Sequence, residues 1–319
     1  MNILIYNSGG GLGDCIRLFE LIISLQKRFK NSEIYYLGAH ENHFLGKLKE
    51  YNISIKNIDL DLKYFGFRWW HLLKARNKFK KKYNFNLDII IDIQSKLRNT
   101  LILKRIPSKL FYSSTSNFLF ASLKKDYLKG NYDLENILIN LEKITETKIP
   151  KVKYDISNIN VKYFNEAKKL LPNDNYIGFS LTQGNEYRKK TWSIEKFINL
   201  ANKLNNKIPV FFLGKDNLDL INKIKSNVKN SLFPELETNL NNPALVTALA
   251  TRLTKAISID NGVMHMIGLA NIPMIVLFGP TNSTKFAPNI NNIKILDSKK
   301  IHKTADINSI KEEEVLSLI

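Results

Sequence analysis

Residues 2–14 read NILIYNSGGGLGD, an apolar run that leads directly into glycines. A short apolar run that ends in glycine and precedes a helical pattern is typical of the first strand, loop and helix of a doubly wound α/β domain. Glycine also lets a ligand approach the main chain closely. This stretch therefore predicts a strand at residues 2–7, a ligand-facing loop and a helix over residues 16–30.

The same alternation of strand and helix continues along the chain and then starts again. The first series has further strand-like runs at 33–37 and 87–93, and the pattern loosens over 150–174. In the second series, strands are predicted at 176–181, 210–213, 256–259 and 274–278, and helices at 194–204, 218–228, 243–252 and 263–270. Short apolar strands between amphipathic helices indicate parallel sheets that are covered on both faces.

The prediction is an α/β protein with two Rossmann-like domains, an N-terminal one at 1–160 and a C-terminal one at 170–319. Open parallel sheets bind ligands at the carboxyl ends of their strands. We therefore expect the two domains to face a central cleft that holds the site, and we leave open that the last helix packs back on the first domain.

Composition narrows the class of protein. Hydrophobic residues make up 44% of the 319 positions, enough for real cores, and the single cysteine excludes a disulfide within the chain. A zinc site built on cysteine is disfavoured for the same reason. The N-terminus lacks the pattern of a signal peptide, and no run reaches the roughly 18 apolar residues of a spanning helix. We expect a cytoplasmic protein.

The formal net charge of +19 points to an acidic partner, or reflects a chain rich in Lys and Asn throughout. Residues 62–83 contain eight Lys or Arg and no acid. Aromatic residues crowd the start of that segment: Tyr64, Phe65, Phe67, Trp69 and Trp70. The segment is either a contact with an anionic membrane or an ordinary helix with core aromatics and a Lys-rich face. No nucleic-acid-binding motif occurs, so we expect no such partner.

The glycine loop does not fit the two common phosphate motifs. The dinucleotide fingerprint requires a third glycine where Asp14 stands, and the P-loop requires a Gly-Lys pair that is absent. A carboxylate at this position would repel a phosphate. Asp14 is therefore either a general base that faces a hydroxyl group or a helix cap.

Two predicted turns in the C-terminal half suit a diphosphate. Asp260, Asn261 and Gly262 separate a strand from a helix, and Gly279 with Pro280 follows the next strand. Main-chain N–H groups at such turns bind phosphates. His265 contacts a phosphate or sugar, or is simply packed on its helix. Asp260 binds a sugar hydroxyl or caps the helix.

A basic segment, Arg188-Lys189-Lys190-Thr191-Trp192, follows the first strand of the second domain. A cation that faces the cleft can neutralise a leaving diphosphate, and Lys190 is the best placed, two residues before Trp192. The alternative is a solvated basic loop.

Taken together, these segments resemble glycosyltransferase family 9, the heptosyltransferases that build the inner core of lipopolysaccharide. The matching segments occur in the family's order: Gly-Leu-Gly-Asp at 11–14, Asp-Ile-Gln at 92–94 with Arg98, Lys-Thr-Trp at 190–192, Asp-Asn-Gly-Val-Met-His at 260–265 and Leu-Phe-Gly-Pro-Thr at 277–281. Three features depart from the family pattern: Cys15-Ile16-Arg17 begins the helix, Asn261 replaces Ser or Thr, and Ser95 replaces a glycine.

The resemblance implies a GT-B fold and an inverting transfer of a heptose from an ADP-sugar to a lipopolysaccharide inner-core or other lipid-linked acceptor. Neither a metal nor a further cofactor is implied, and we interpret Asp59-Leu60-Asp61 as a polar loop. The expected partners are the nucleotide sugar, the phosphorylated lipid-linked acceptor and the inner face of the cytoplasmic membrane, met peripherally by a monomer. The alternatives are a GT-B enzyme that uses a UDP- or GDP-sugar, and a basic nucleic-acid-binding protein without catalysis.

The resemblance also implies roles for individual residues. The catalytic residues would be Asp14, as general base, and Lys190, at the diphosphate. The donor would contact Gly13, Thr182, Arg188, Asp216, Asp260, Asn261, Gly262, Val263, Met264, His265, Gly279 and Pro280. The acceptor would contact Gly11, Gln94, Arg98 and Arg68.

Overall fold

The structure is a computed structural model that describes residues 1–130, 133–183 and 189–319. Its contacts divide the chain into two compact units, Met1–Asp155 and Ile156–Ile319. Each unit is described by itself below.

The first unit is a five-stranded parallel sheet covered by helices. Its strands lie in the order β3-β2-β1-β4-β5. The strands are β1 (Asn2–Asn7), β2 (Glu33–Gly38), β3 (Lys56–Asn57), β4 (Leu87–Asp92) and β5 (Ser108–Ser113). The helices are α1 (Leu12–Ile16), α2 (Phe19–Arg28), α3 (His71–Lys82), α4 (Leu97–Leu103), α5 (Thr115–Phe118) and α6 (Leu134–Thr145). All four strand pairings are parallel.

The second unit repeats this plan, with strand order β10-β9-β8-β6-β7. Its strands are β6 (Tyr176–Ser180), β7 (Ile208–Phe211), β8 (Leu253–Ile259), β9 (Met274–Phe278) and β10 (Ile293–Asp297). Its helices are α7 (Val161–Leu170), α8 (Ile194–Asn202), α9 (Leu218–Asn227), α10 (Pro243–Ala250), α11 (Gly262–Leu269), α12 (Ser283–Phe286), α13 (Ser298–Ile301) and α14 (Glu312–Leu316). These pairings are also all parallel. The predicted α/β fold with two doubly wound sheets is confirmed.

One detail differs from the sequence-based prediction. The helix predicted over 16–30 is two helices, α1 and α2, separated by a turn at Arg17 and Leu18 whose backbone stays in the right-handed region. Both helices bury apolar residues at helical spacing, so the sequence pattern continues across the turn. The last helix, α14, packs on α8 in the second unit, and Val315 is fully buried in that core.

Candidate functional site

Each sheet has one point where its connections change direction, and the predicted site loops lie there. In the first sheet this point lies between β1 and β4, and in the second between β6 and β8. The glycine loop follows β1, and the Gln94 loop follows β4. The Lys190 segment follows β6, and Asp260 follows β8. Ligands of doubly wound folds bind at these switch points, outside the carboxyl ends of the strands.

In the first unit, the Asp14 carboxylate lies against Gly9. A Cβ atom added to Gly9 would come within 2.6 Å of Asp14 Cγ and Oδ2, a distance that real Cβ atoms do not reach. Gly9 does not adopt a left-handed conformation, so its missing side chain provides space and not backbone freedom. Gly11 is the N-cap of α1, and Gly13 is buried in its first turn.

Asp14 is not a helix cap. It is the third residue of α1, and no side chain caps this helix. Within the described part of the chain its carboxylate accepts no hydrogen bond, and the residue is partly exposed. The prediction that Asp14 caps the helix is therefore wrong. A general base remains compatible with the geometry, because the carboxylate is free to accept a proton.

The loop after β4 presents Gln94 beside the glycine loop. The Asp92 carboxylate accepts hydrogen bonds from the main-chain N–H groups of Gln94 and Ser95, at 3.0 and 3.3 Å. Thr100 and Ser113 donate to the same carboxylate at 2.6 and 2.8 Å. Burial raises the pKa of Asp92, and these hydrogen bonds oppose that shift. This buried network fixes the loop rigidly on the sheet.

The two arginines predicted to contact the acceptor lie near each other around His71. Arg98 Nε donates to the Gly66 carbonyl at 2.8 Å, and its guanidinium lies 5.6 Å from the centre of the Phe67 ring. Burial, with smaller effects of Arg68 and Arg98, lowers the pKa of His71. Arg68 itself is exposed. The structure thus supplies two cations at one surface of the first unit.

The aromatic residues of segment 62–83 divide between core and surface. Phe65 is buried, at 2% exposure, and its ring stacks on His71. The exposed fractions of Tyr64, Trp69, Trp70 and Leu73 are 53%, 57%, 47% and 76%. Lys74 Nζ lies 5.0 Å from the Trp70 ring. Leu62, Phe65 and Phe79 of the same segment are buried in the core, so the segment combines an anchored side with an exposed aromatic surface, and both interpretations of it stay open.

In the second unit, Lys190 and Asp260 form an ion pair. Lys190 Nζ lies 2.5 Å from Asp260 Oδ2, with the two side chains only 12% and 7% exposed. The main-chain N–H of Lys190 donates to Gln183 Oε1 at 2.7 Å. The sequence predicts separate partners for these two residues, whereas the structure joins them. Asp260 precedes the cap of α11, so it is not the N-cap.

The cap of α11 is Asn261, whose side chain also ties β8 to β6. Its Oδ1 accepts from Met264 N at 2.8 Å. Its Nδ2 donates to Ser180 Oγ at 2.8 Å and to the Thr182 carbonyl at 2.9 Å. An amide performs both tasks at once, which a single hydroxyl donor would not. Gly262 and Val263 are partly exposed, whereas Met264 and His265 are buried, at 0% and 7%.

The turn after β9 packs against the segment 305–307. A Cβ atom on Gly279 would meet Ile307 Cβ at 2.8 Å, so this glycine allows close packing of the 305–307 segment. Pro280 is exposed, and the carbonyls of Pro280 and Thr281 accept from Lys299 Nζ at 3.2 and 2.7 Å. The buried Thr281 hydroxyl has no hydrogen-bond partner among the described residues.

Two other predicted donor contacts are Asp216 and Arg188. Asp216 is exposed in a 3-10 turn after β7, and Gly214 beside it has open space where a side chain would be. Arg188 lies outside the described residues. In residues 1–130, 133–183 and 189–319, no group of three or more His, Cys, Asp or Glu side chains could hold a metal ion. Asp61 of the predicted polar loop pairs with Lys82 at 2.5 Å.

Three structurally important residues were missed or given no role by the sequence analysis. Asn7 is the last residue of β1 and Thr281 lies three residues after β9, and a polar residue in such a position is the signal that would have identified them. Trp192 is fully buried, and its Nε1 donates to the Ile310 carbonyl at 3.0 Å. It therefore anchors the segment that carries Lys190.

Comparisons with known proteins agree with this architecture. The family profile described as Glycosyltransferase family 9 (heptosyltransferase) matches residues 76–316. The glycine loop and Asp14 precede the matched range. The chain is 23% identical over 286 residues to Lipooligosaccharide heptosyltransferase 2 of Campylobacter jejuni, covering 87% of this chain and 81% of that protein.

Solved structures show the same fold over almost the whole chain. A family 9 glycosyl transferase from Veillonella parvula matches with a TM-score of 0.70 at 21% identity, covering 99% of this chain and 95% of that one. The E. coli heptosyltransferase WaaC with ADP matches with a TM-score of 0.68 at 15% identity, covering 99% and 98%. The protein is thus a glycosyltransferase with the GT-B fold and belongs to glycosyltransferase family 9, the heptosyltransferase family.

Proposed function

We propose that the protein transfers a heptose from an ADP-heptose to a lipopolysaccharide inner-core acceptor, with inversion at the anomeric carbon and without a metal ion or further cofactor. The observation that carries the proposal is the placement of Asp14 and of the Lys190–Asp260 pair at the switch points of their sheets. The names of relatives support the donor and the acceptor: one was solved with ADP, and another is a lipooligosaccharide heptosyltransferase.

In this proposal the acceptor oxygen attacks the anomeric carbon on the face opposite the diphosphate. The new C–O bond forms as the bond between carbon and phosphate oxygen breaks, and ADP leaves with the electron pair. Asp14 takes the proton of the attacking hydroxyl. Lys190 stabilises the charge that grows on the leaving diphosphate, since a fixed cation in a partly desolvated position acts strongly there.

The remaining donor contacts follow from the geometry of the second unit. The partly exposed Gly262 and Val263 begin α11, where main-chain N–H groups and the helix dipole favour a phosphate. Asp260 would bind a hydroxyl of the donor sugar while it holds Lys190. Asp216, exposed after β7, would bind the ribose, and Thr182, His265, Gly279 and Pro280 would line the same pocket.

A panel of donors tests this function. Purified protein is incubated with ADP-heptose, UDP-sugars or GDP-sugars and an inner-core acceptor, and the released nucleotide and the product's anomeric configuration are determined. We expect ADP release and an inverted product, in the presence of a chelator as well as without it. Release of UDP or GDP alone would show that the donor is not an ADP-sugar. A product with retained anomeric configuration would contradict the inverting mechanism, and loss of activity with the chelator would contradict metal independence.

We further propose that the exposed segment around Trp69 and Trp70 brings the enzyme to the anionic inner face of the cytoplasmic membrane, where a lipid-linked acceptor resides. Indole rings at headgroup depth beside basic side chains suit such a surface. Within the described residues, no helix is both long enough and apolar enough to cross a bilayer. Contact through this segment would therefore be peripheral.

Removal of the exposed side chains should reduce binding to anionic vesicles. We expect the triple variant Trp69→Ala/Trp70→Ala/Leu73→Ala to bind phosphatidylglycerol liposomes at least about tenfold more weakly in a flotation assay, because the buried apolar area is lost. The matched control is Leu119→Ala/Leu218→Ala, which removes side chains that are 71% and 58% exposed elsewhere. Equal losses in both variants, or no binding of the wild type at low salt, would reject the membrane contact.

A further inference from the structure

Asn7, the last residue of β1, joins the glycine loop, α1 and the loop after β4. It is only 3% exposed. Its Oδ1 accepts from the Gly9 N–H at 2.9 Å and from Gln94 Nε2. Its Nδ2 donates to the Asp14 carbonyl at 3.3 Å. One buried amide therefore contacts both the residue that carries the carboxylate and the glycine against which that carboxylate lies.

The partner of Asn7 across the sheet is held in place independently. Gln94 follows Asp92, whose four hydrogen bonds fix the loop after β4. Ser95 in that loop has a positive φ of 53° and bonds to Ser114 through their hydroxyl groups. Non-glycine residues adopt such a conformation only where surrounding contacts enforce it. The main chain of Gln94 is thus held in place, and its side-chain amide is attached to Asn7.

We propose that Asn7 is a positioning residue that holds the Asp14 carboxylate against Gly9 and links it to Gln94 of the acceptor loop. The inference rests on the proposed function, in which Asp14 is the general base. The new element is that the base and the acceptor loop belong to one hydrogen-bonded network. Gly9 belongs to this network because only a residue without a side chain leaves room for the Asp14 carboxylate.

The first test replaces Asn7 by an isosteric acid and by an apolar residue. Asn7→Asp removes the donor to the Asp14 carbonyl and adds a negative charge beside Gly9. We expect turnover to fall about 10- to 100-fold, because small displacements of a catalytic group are costly. The added negative charge lies near the proposed base, so the acid limb of the pH profile should move to higher pH. Asn7→Leu should lower turnover similarly without moving that limb.

The other titratable groups near Asp14 are the same in both variants. His40 and His43 contact Gly10 from the loop after β2. Cys15 and Tyr36 lie beneath the loop, where burial raises the pKa of both, that of Cys15 to about 12. A difference between the pH profiles of Asn7→Asp and Asn7→Leu therefore reports only the added charge near Asp14, whereas a fall in turnover that both variants share, with unchanged melting temperature and ADP affinity, reports the lost positioning.

The second test leaves the buried amide intact. Gly9→Ala places a methyl group where the Asp14 carboxylate lies, so turnover should fall about 10- to 100-fold while ADP affinity stays within twofold. The control is Gly46→Ala, where the nearest atom to an added Cβ is 3.4 Å away. This control measures the general effect of replacing glycine by alanine on the unfolded chain.

The outcomes separate this inference from the proposed function. If Asp14→Asn retains turnover, the base assignment fails. If Asp14→Asn is inactive but Asn7→Asp and Gly9→Ala work at wild-type rates with unchanged pH profiles, only the positioning role fails. Thermal unfolding and ADP binding are measured for each variant. A variant of Asn7 that does not fold is replaced in the test by Gly9→Ala.

Discussion

Asp14→Asn should lower kcat by about 10²- to 10⁴-fold, the range that a general base contributes. Asparagine has the shape of aspartate and fits against Gly9 in the same way, but its amide does not accept the proton of the acceptor hydroxyl. Because Asp14 lies in the first unit and the proposed diphosphate contacts lie in the second, we expect ADP-heptose to bind with an affinity within twofold of the wild type. Turnover is followed by ADP release, and donor binding by calorimetry.

Asp126→Asn is the matched control for this variant. Asp126 is an exposed aspartate of the same unit, far in sequence from the glycine loop. Its replacement changes net charge equally, so turnover should stay within twofold. Wild-type turnover in Asp14→Asn would remove the base role. A large loss of donor binding in the same variant would instead assign Asp14 to the donor.

The sequence predicted the central strands and the mostly buried edge strand β7, but it missed the other edge strands, for a physical reason. Strands such as β1 and β4 are covered on both faces, so they read as continuous apolar runs. The edge strands β3, β5 and β10 were not predicted. In β10 only the last of five residues, Asp297, is buried, and β3 has only two residues, both exposed. Partial exposure removes the apolar signal on which the prediction depends.

The sequence also predicted which loops carry the site, but not how their side chains pair. The order of strands and turns placed Lys190 and Asp260 at the same edge of one sheet. Their ion pair joins residues 70 positions apart, and the Asn7–Gln94 contact joins residues 87 positions apart. Such pairs depend on which strands are neighbours in the sheet and on rotamers, and neither is encoded in local spacing. The role of Asn7 therefore required the structure.

Lys190→Met should lower kcat by about 10²- to 10³-fold, the usual cost of removing a group that stabilises transition-state charge. Methionine keeps the apolar stem and removes the cation. Charge-assisted hydrogen bonds to phosphate are among the stronger ones, so ADP affinity should fall about tenfold as well. ADP titration and steady-state kinetics measure the two losses separately. A fall in ADP affinity with unchanged kcat would make Lys190 a ground-state contact only.

The ion pair with Asp260 allows a structural role of Lys190 to be distinguished from a catalytic one. Lys190→Met alone leaves the Asp260 carboxylate largely buried without its cation, which should lower the free energy of unfolding by on the order of 3 kcal/mol. The double variant Lys190→Met/Asp260→Asn removes that unpaired charge, so its melting temperature should recover. If Lys190 stabilises the leaving diphosphate, the double variant remains at least about tenfold slower than Asp260→Asn alone, despite equal stability. Equal turnover of these two variants would show that Lys190 serves only to hold Asp260.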